Sequence, residues 1–289
     1  MVTEDPILSL RSGEGFVDLS SWRKIGVSGP DACQWLNDLA SADVSDLEPP
    51  RARRSLLLSP TGRIRAEFTV AWFAEAFLLL QDPAQPAAID AVLAPYVLSS
   101  DVEVRDRTDD LALFAFPGRS DAAGPSGTRV SIPSCTGAGI DLIAPAEEHD
   151  STLRSLAEAS ELVANEDLER WRVVAGIPRF GIDASEDDLP SEGGFDDAVS
   201  YGKGCYLGQE AVARVRNLGH PRRAVVHLTA GGPISAGQPV EADGVEVGRV
   251  TSAAEHDGRG WALAKVRWEA RQSPLTDPGG VALTPVARD

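Results

Sequence analysis

The sequence predicts an α+β protein that ends in an all-β module. Three observations carry that expectation. A chain of 289 residues, 43% hydrophobic and 25% charged, can bury a large core and has room for one big domain or two to three small ones. Between Arg23 and Phe116, strand-like runs flank a helical one. After Arg223 the pattern changes to short strands separated by Gly/Pro turns, an all-β module of about 65 residues.

Arg23–Ser28 alternate like a short strand. Gly29-Pro30-Asp31 then opens a helix, with proline early and an acid in the first turn, and Ala32, Leu36 and Leu39 form its apolar stripe. Phe68–Phe73 and Phe77–Leu80 read as a hairpin, Ala87–Val97 as a helix broken near Pro95, and Val102–Arg105 and Leu111–Phe116 as strands. Asp121–Gly127 reads as a loop or linker between units. Ile140–Ile143 is a further strand, followed by helices over Ser151–Val163 and Glu166–Val174. Asp183–Asp197 carries seven acids and no base, punctuated by Pro190 and Gly193-Gly194, and reads as an irregular surface or cleft loop. Ala224–Leu228, Val245–Val250 and Trp261–Val266 are the strands of the closing module. Trp171 and Phe180 are assigned to a core.

Composition excludes several function classes. No apolar run reaches the roughly 18–20 residues that span a bilayer, and the acidic start MVTEDPILSL is unlike a signal peptide. The expectation is a cytoplasmic protein with no membrane partner. Cys33, Cys135 and Cys205 form no CxxC pair, and the four histidines form no HExxH, so no metal site is expected. A net charge of −17 argues against coating duplex nucleic acid. Ser59-Pro60-Thr61-Gly62-Arg63 lacks the GxxxxGK[ST] form, and neither GxGxxG nor GxSxG is present.

The chemistry concentrates in Lys203-Gly204-Cys205-Tyr206-Leu207-Gly208-Gln209-Glu210. From Lys203 to Arg223 there are five basic residues (Lys203, Arg214, Arg216, Arg222 and Arg223) and one acid, Glu210. A positive island in so acidic a chain suggests a site for a small anion. Arg214 and Arg216, two apart, point to different faces of a helix. Arg51, Arg53 and Arg54 form a second basic run that reads as surface. Cys205 reads either as a small buried hydrophobe or as a functional thiol, its pKa lowered by Lys203 and by a helix starting near Gly208. Glu192 reads either as a solvated carboxylate or as a pair of acceptors for a heterocycle with adjacent N–H donors, such as a pterin or purine.

KGCYLGQEAVARV (Lys203–Val215) resembles the K-G-C-[FY]-x-G-Q-E signature of the YgfZ family of folate-binding proteins, related to the aminomethyltransferase (T-protein) of the glycine cleavage system. GFVDLSSWRKIGVSGPDACQWLNDL, GIPRFGIDASEDDLPSE and the Gly244…Gly248…Thr251-Ser252 pattern extend the likeness over nearly the whole chain. The resemblance implies a three-part ring around a central cleft that holds tetrahydrofolate or a derivative. Its parts would be a first α+β unit from 1–46 plus 135–223, a second from 47–134, and a C-terminal β-barrel from 224–289. It implies Glu192 at the pterin edge, with Lys203, Tyr206, Gln209 and Arg214 as further folate-binding residues, and Cys205 as the functional thiol. It also implies an accessory role in iron–sulfur cluster assembly or repair, with iron–sulfur clients that include tRNA-modifying enzymes, and a folate that can be polyglutamylated. The chain departs from T-proteins at Gly208-Gln209-Glu210, where they have GRE, and in Arg63–Phe68, which holds no aspartate and only Glu67 as an acid. A folate-dependent aminomethyl transferase and a non-catalytic interaction module of the same fold are the alternatives.

Overall fold

Strand pairing organises the described residues into two five-stranded sheets and one closed barrel. The computed structural model describes residues 5–49, 51–119, 130–133 and 135–287, so the linker expected at Asp121–Gly127 lies outside them. The chain divides into two units. One comprises Met1–Leu58, Arg65–Leu168 and Asp197–Leu207; the other comprises Ser59–Ile64, Glu169–Asp196 and Gly208–Asp289.

The first unit opens with α1 (Pro6–Ser12), β1 (Gly15–Asp18), β2 (Arg23–Ser28) and α2 (Ala32–Leu39). The strands β3 (Ala52–Leu58), β4 (Ile64–Phe73) and β5 (Ala76–Gln81) follow. Next comes α3 (Ile89–Leu93), which runs into a 3-10 turn over Ala94–Ser99. Then come β6 (Glu103–Asp106), β7 (Leu111–Phe116), β8 (Val130–Pro133) and β9 (Ile140–Pro145). The run α4 (His149–Ala157), β10 (Glu161–Leu162) and α5 (Asn165–Val174) leads towards the second unit. One sheet has the order β3-β4-β5-β2-β6, the other β10-β1-β7-β9-β8.

The expected stripe on α2 is buried, and Trp35 joins it. These side chains pack against Phe68, Val70, Phe77 and Leu79 of the β4–β5 hairpin in one core. Trp35 is satisfied as well as buried, because its indole Nε1 donates to the Tyr96 carbonyl at 2.9 Å. The second sheet has its own core, in which Phe16 stacks on Phe116 at 5.4 Å. Three features differ from the sequence reading. The helix expected over Ser151–Val163 stops at Ala157, because Glu161 and Leu162 pair in parallel with Gly15 and Phe16. The Ala87–Val97 helix is half 3-10, with Pro95 in the first turn of the 3-10 segment. Part of the basic run at Arg51–Arg54 begins a strand, β3, where Arg53 pairs with Asp46 and Arg54 with Glu67.

The second unit holds α6 (Pro190–Gly193) and α7 (Gln209–Leu218). Its barrel strands are β11 (Arg223–Ala230), β12 (Pro239–Ala242), β13 (Val245–His256), β14 (Arg259–Arg267), β15 (Leu275–Thr276) and β16 (Ala282–Pro285). They close in the order β11-β14-β13-β12-β15-β16. Two Asp-Gly turns make the hairpins. Asp243-Gly244 and Asp257-Gly258 both have positive φ at each residue, the geometry of a tight turn that matches strand twist. Leu228, Val250, Ala262, Ala264 and Val266 fill the barrel, alternating with outward side chains.

The stretch read as an irregular surface or cleft loop, Asp183–Asp197, keeps four of its acids exposed but buries the other three. Asp183, Asp188 and Glu192 are buried, as are Trp171 and Phe180. Asp183 accepts from Arg172 Nη1 at 2.8 Å, from the Arg179 N–H at 3.0 Å and from the Ser252 hydroxyl at 2.7 Å. Arg172 also donates to Ser252 Oγ at 2.8 Å and pairs with Glu169. Asp188 accepts from Lys265 Nζ at 2.6 Å and from the Ser185 N–H at 2.7 Å. Burial alone would raise the Asp188 pKa, but Lys265 and Ser185 outweigh it and hold the carboxyl below its ordinary value.

That depression fixes the sign of a pH effect. Asp188 stabilises the fold fully above its unfolded pKa of about 4, and the contribution is lost as pH falls through the lower folded value. Asp188→Asn should be less stable than wild type by about 1–3 kcal/mol at neutral pH. In thermal melts across the acid range, the gap between the two proteins should close as Asp188 protonates. A gap independent of pH would show that the carboxylate charge is not what holds this segment.

Candidate functional site

Glu192 is the third residue of α6. Leu189 precedes the helix in extended conformation, Pro190 supplies its first turn, and Gly194 ends it with φ of 77°. At that position the Glu192 carboxylate reaches back to the Leu189 N–H, Oε2 to N at 3.0 Å. Its other oxygen, Oε1, accepts from the Arg222 N–H at 3.1 Å, one residue before β11. Arg63 Nη1 donates to Oε2 at 3.1 Å. The Glu192 side chain is 7% exposed and that of Arg63 is 38% exposed. The first two donors are backbone and fixed; the third is a long, partly exposed side chain whose Nη1 also donates to the Asp187 carbonyl.

Arg63 is the residue that sequence reasoning missed. It sits in the turn Ser59–Arg63, where Ser59 N–H donates to the Arg63 carbonyl at 2.8 Å and Ser59 Oγ accepts the Arg63 N–H at 3.1 Å. Gly62 has φ of +76°, and a Cβ there would lie 2.9 Å from the Ala211 Cβ, so this turn needs glycine both for its conformation and for its approach to α7. The next residue, Ile64, donates to the Asp188 carbonyl at 3.0 Å. The Pro-Thr-Gly composition signals a turn but not a destination for Arg63.

The signature segment divides between the units, with Lys203, Cys205 and Tyr206 in one and Gln209 and Arg214 in the other, alongside Glu192. Lys203, expected as an anion ligand, instead ties its own unit together. Its Nζ donates to the carbonyls of Asn37, Ala40 and Ala42 at 2.6, 2.7 and 2.8 Å, which uses all three ammonium protons at the end of α2. Burial pushes the Lys203 pKa down to about 8 against the pull of Asp43 and Asp38. The same ammonium lies 5.1 Å from the centre of the Tyr206 ring. Tyr206 is buried, and burial, with Tyr201 nearby, lifts its phenol to about 12. Cys205 and Cys33 are exposed, whereas burial and the Asp141 carboxylate push the Cys135 thiol well up. Gln209 opens α7, half-buried, with Gly208 as its cap. Arg214 is exposed on α7 and pairs with Glu210 at 3.5 Å. Glu67, the acid nearest the missing aspartate, is held by Arg54 Nε at 2.7 Å, and Arg54 also reaches Asp197. Among the described residues no group of three or more His, Cys, Asp or Glu is placed to hold a metal ion, and no helix is long and apolar enough to cross a membrane.

Comparison with solved structures decides the architecture. The chain superposes on aminomethyltransferase T of the glycine cleavage system from Bartonella henselae with a TM-score of 0.82 and 22% identity, covering 97% of this chain and 87% of that one. The fold is that of the glycine cleavage T-protein. Residues 2–123 match the family model of the GCVT N-terminal domain. The aminomethyltransferase of Streptomyces coelicolor is 29% identical over 312 residues, 95% of this chain and 83% of that protein. A chloroplastic Arabidopsis thaliana protein, provisionally named a transferase, is 27% identical over 268 residues, and the match spans 62% of its length.

The Lys203 geometry makes a prediction about role. Lys203→Met removes the ammonium and leaves carbonyls without a donor, which should cost about 1–3 kcal/mol of stability in denaturant titration. Ligand affinity of the folded variant should stay within a few-fold of wild type. An unchanged stability with lost affinity would restore Lys203 as a ligand.

Proposed function

We propose that this T-protein-fold chain binds a reduced folate, tetrahydrofolate or a derivative, and acts as a YgfZ-type accessory protein in iron–sulfur cluster assembly or repair. The observation that carries the binding reading is Glu192: a buried carboxylate fixed by two backbone donors and completed by one displaceable arginine. Such a group suits a pterin edge, whose adjacent N–H donors need two acceptor oxygens in a set orientation. The fit has one condition. Arg63 must leave Oε2 for a second ligand donor to reach it, and its exposure allows that. Gln209 and Arg214 complete the proposed folate contacts in the same unit; Lys203 and Tyr206 support the signature segment from within theirs. When bound, the folate would supply a one-carbon carrier. This chain's own part is to orient the ring and to keep it from water. Cytoplasmic action on iron–sulfur clients, including tRNA-modifying enzymes, is part of the same reading, as is a thiol role for exposed Cys205.

A second reading, aminomethyl transfer, is favoured by the relatives named aminomethyltransferase. Against it stands Glu67, whose carboxylate is tied to Arg54 and so is a poor free base. Formation of methylene-tetrahydrofolate from an aminomethyl donor, catalysed by the purified protein, would establish the transferase.

Glu192→Gln replaces one acceptor oxygen with a donor. Calorimetric affinity for tetrahydrofolate should fall about ten- to a hundredfold, the value of a lost charge-assisted bond. Because Glu192 is buried and accepts two backbone donors, the ligand-free variant should also lose about 1–3 kcal/mol of stability. Arg63→Ala provides the control, as it should bind as well as wild type or better. Unchanged affinity in Glu192→Gln, or lost affinity in Arg63→Ala, would overturn the assignment.

Cys205→Ser tests the client role separately. It should bind folate within a few-fold of wild type yet restore iron–sulfur enzyme activity poorly in cells lacking the protein. Full restoration would remove the thiol from the account.

A further inference from the structure

The barrel carries a second cluster of charge, apart from the residues proposed to hold the folate ring. Arg223, Arg249, Lys265 and Arg267 stand on three neighbouring strands, β11, β14 and β13. Their register puts Arg223 directly opposite Arg267 and Arg249 directly opposite Lys265. Their neighbours Ala224, Val250, Ala264 and Val266 are buried in the barrel, so the four basic side chains share its outer face. They line one groove of about 480 Å³, in which Glu246 is the one acid among the described lining residues.

The four are not equivalent. Arg249 is paired with Glu246 at 2.8 Å, and Lys265 with Asp188 at 2.6 Å. Arg223 and Arg267, both exposed, have no acidic partner among the described residues. Like charges placed directly across a strand pair are destabilising. Among the described residues no acid is paired with either arginine, so the like charges stand uncompensated. Two unpaired arginines at directly opposite strand positions, both lining one groove, can grip an oxyanion through their N–H donors.

We infer that this groove binds a small polyanion bearing at least two oxyanion groups, with one group gripped between Arg223 and Arg267 and the next facing Lys265 and Arg249. Phosphates and linked carboxylates share the required chemistry. The site stands independently of the folate reading, since Glu192 does not line it.

The test is calorimetric titration of the full chain, at low salt, with tripolyphosphate and with a tri-γ-glutamate peptide. One or both should bind with unit stoichiometry. A preference for the first assigns a phosphorylated ligand, and a preference for the second a polycarboxylate. Arg223→Gln and Arg267→Gln should each weaken binding about tenfold or more. Arg259→Gln, which removes the same charge from the far end of β14, should change it less than twofold. Without ligand, Arg267→Gln should melt at or above the wild-type temperature, because the like-charge opposition is relieved. The proposal fails if neither anion binds, if Arg259→Gln weakens binding as much as Arg267→Gln, or if Arg267→Gln melts lower without ligand.

Discussion

The buried pairing of Asp183 with Arg172 is the constraint on which the second unit depends. Asp183 is fully buried, and its carboxylate accepts from a guanidinium, a backbone N–H and two barrel hydroxyls, those of Thr251 and Ser252. A carboxylate taken out of water is costly unless it is paired and fully hydrogen-bonded, and here it is both. The pairing pins an acidic stretch, which would otherwise stay in solvent, against the outer wall of the barrel. Asp188 repeats the device with Lys265 on β14. Between them these ties set the entry to α6, and so the position of Glu192.

Glu192 extends the same logic one step further. Its partners are two backbone N–H groups and one arginine that is itself more than a third exposed. Asp183 and Asp188 are closed by the fold. Glu192 has as its one side-chain donor the partly exposed Arg63, so it is the one that can exchange a protein donor for a ligand donor. The local charge supports this division of labour: structural carboxylates face buried or half-buried cations, whereas Glu192 faces a more exposed one. In the other unit Lys203 shows the converse. A lysine in a conspicuous motif, it serves as a three-way tie for the carbonyls at the end of α2.

Much of the fold was legible from local pattern. The Ala32, Leu36 and Leu39 stripe, the β4–β5 hairpin and the three barrel strands depend on periodicity and turn chemistry, which neighbouring residues determine. The T-protein-type architecture followed from the extended resemblance around Lys203–Val215. What was not legible depends on partners far along the chain. Seven acids without a base imply an irregular surface or cleft loop; that Asp183 and Asp188 are buried depends on Ser252 and Lys265, some 70–80 residues on, which supply donors. Nothing in Ser59–Arg63 announces that its arginine meets Glu192, 129 residues later. Glu161-Leu162 turned from helix to strand because β1 offered an edge, a tertiary preference overriding a local one.

The central claim is that Glu192, held by its backbone partners, receives a reduced pterin in place of Arg63. A crystal structure of the protein with bound tetrahydrofolate tests it most directly. The account predicts both Glu192 oxygens hydrogen-bonded to the pterin edge, the Leu189 and Arg222 N–H bonds retained, and the Arg63 guanidinium swung off the carboxylate. A folate bound with the Glu192–Arg63 pair intact would contradict it.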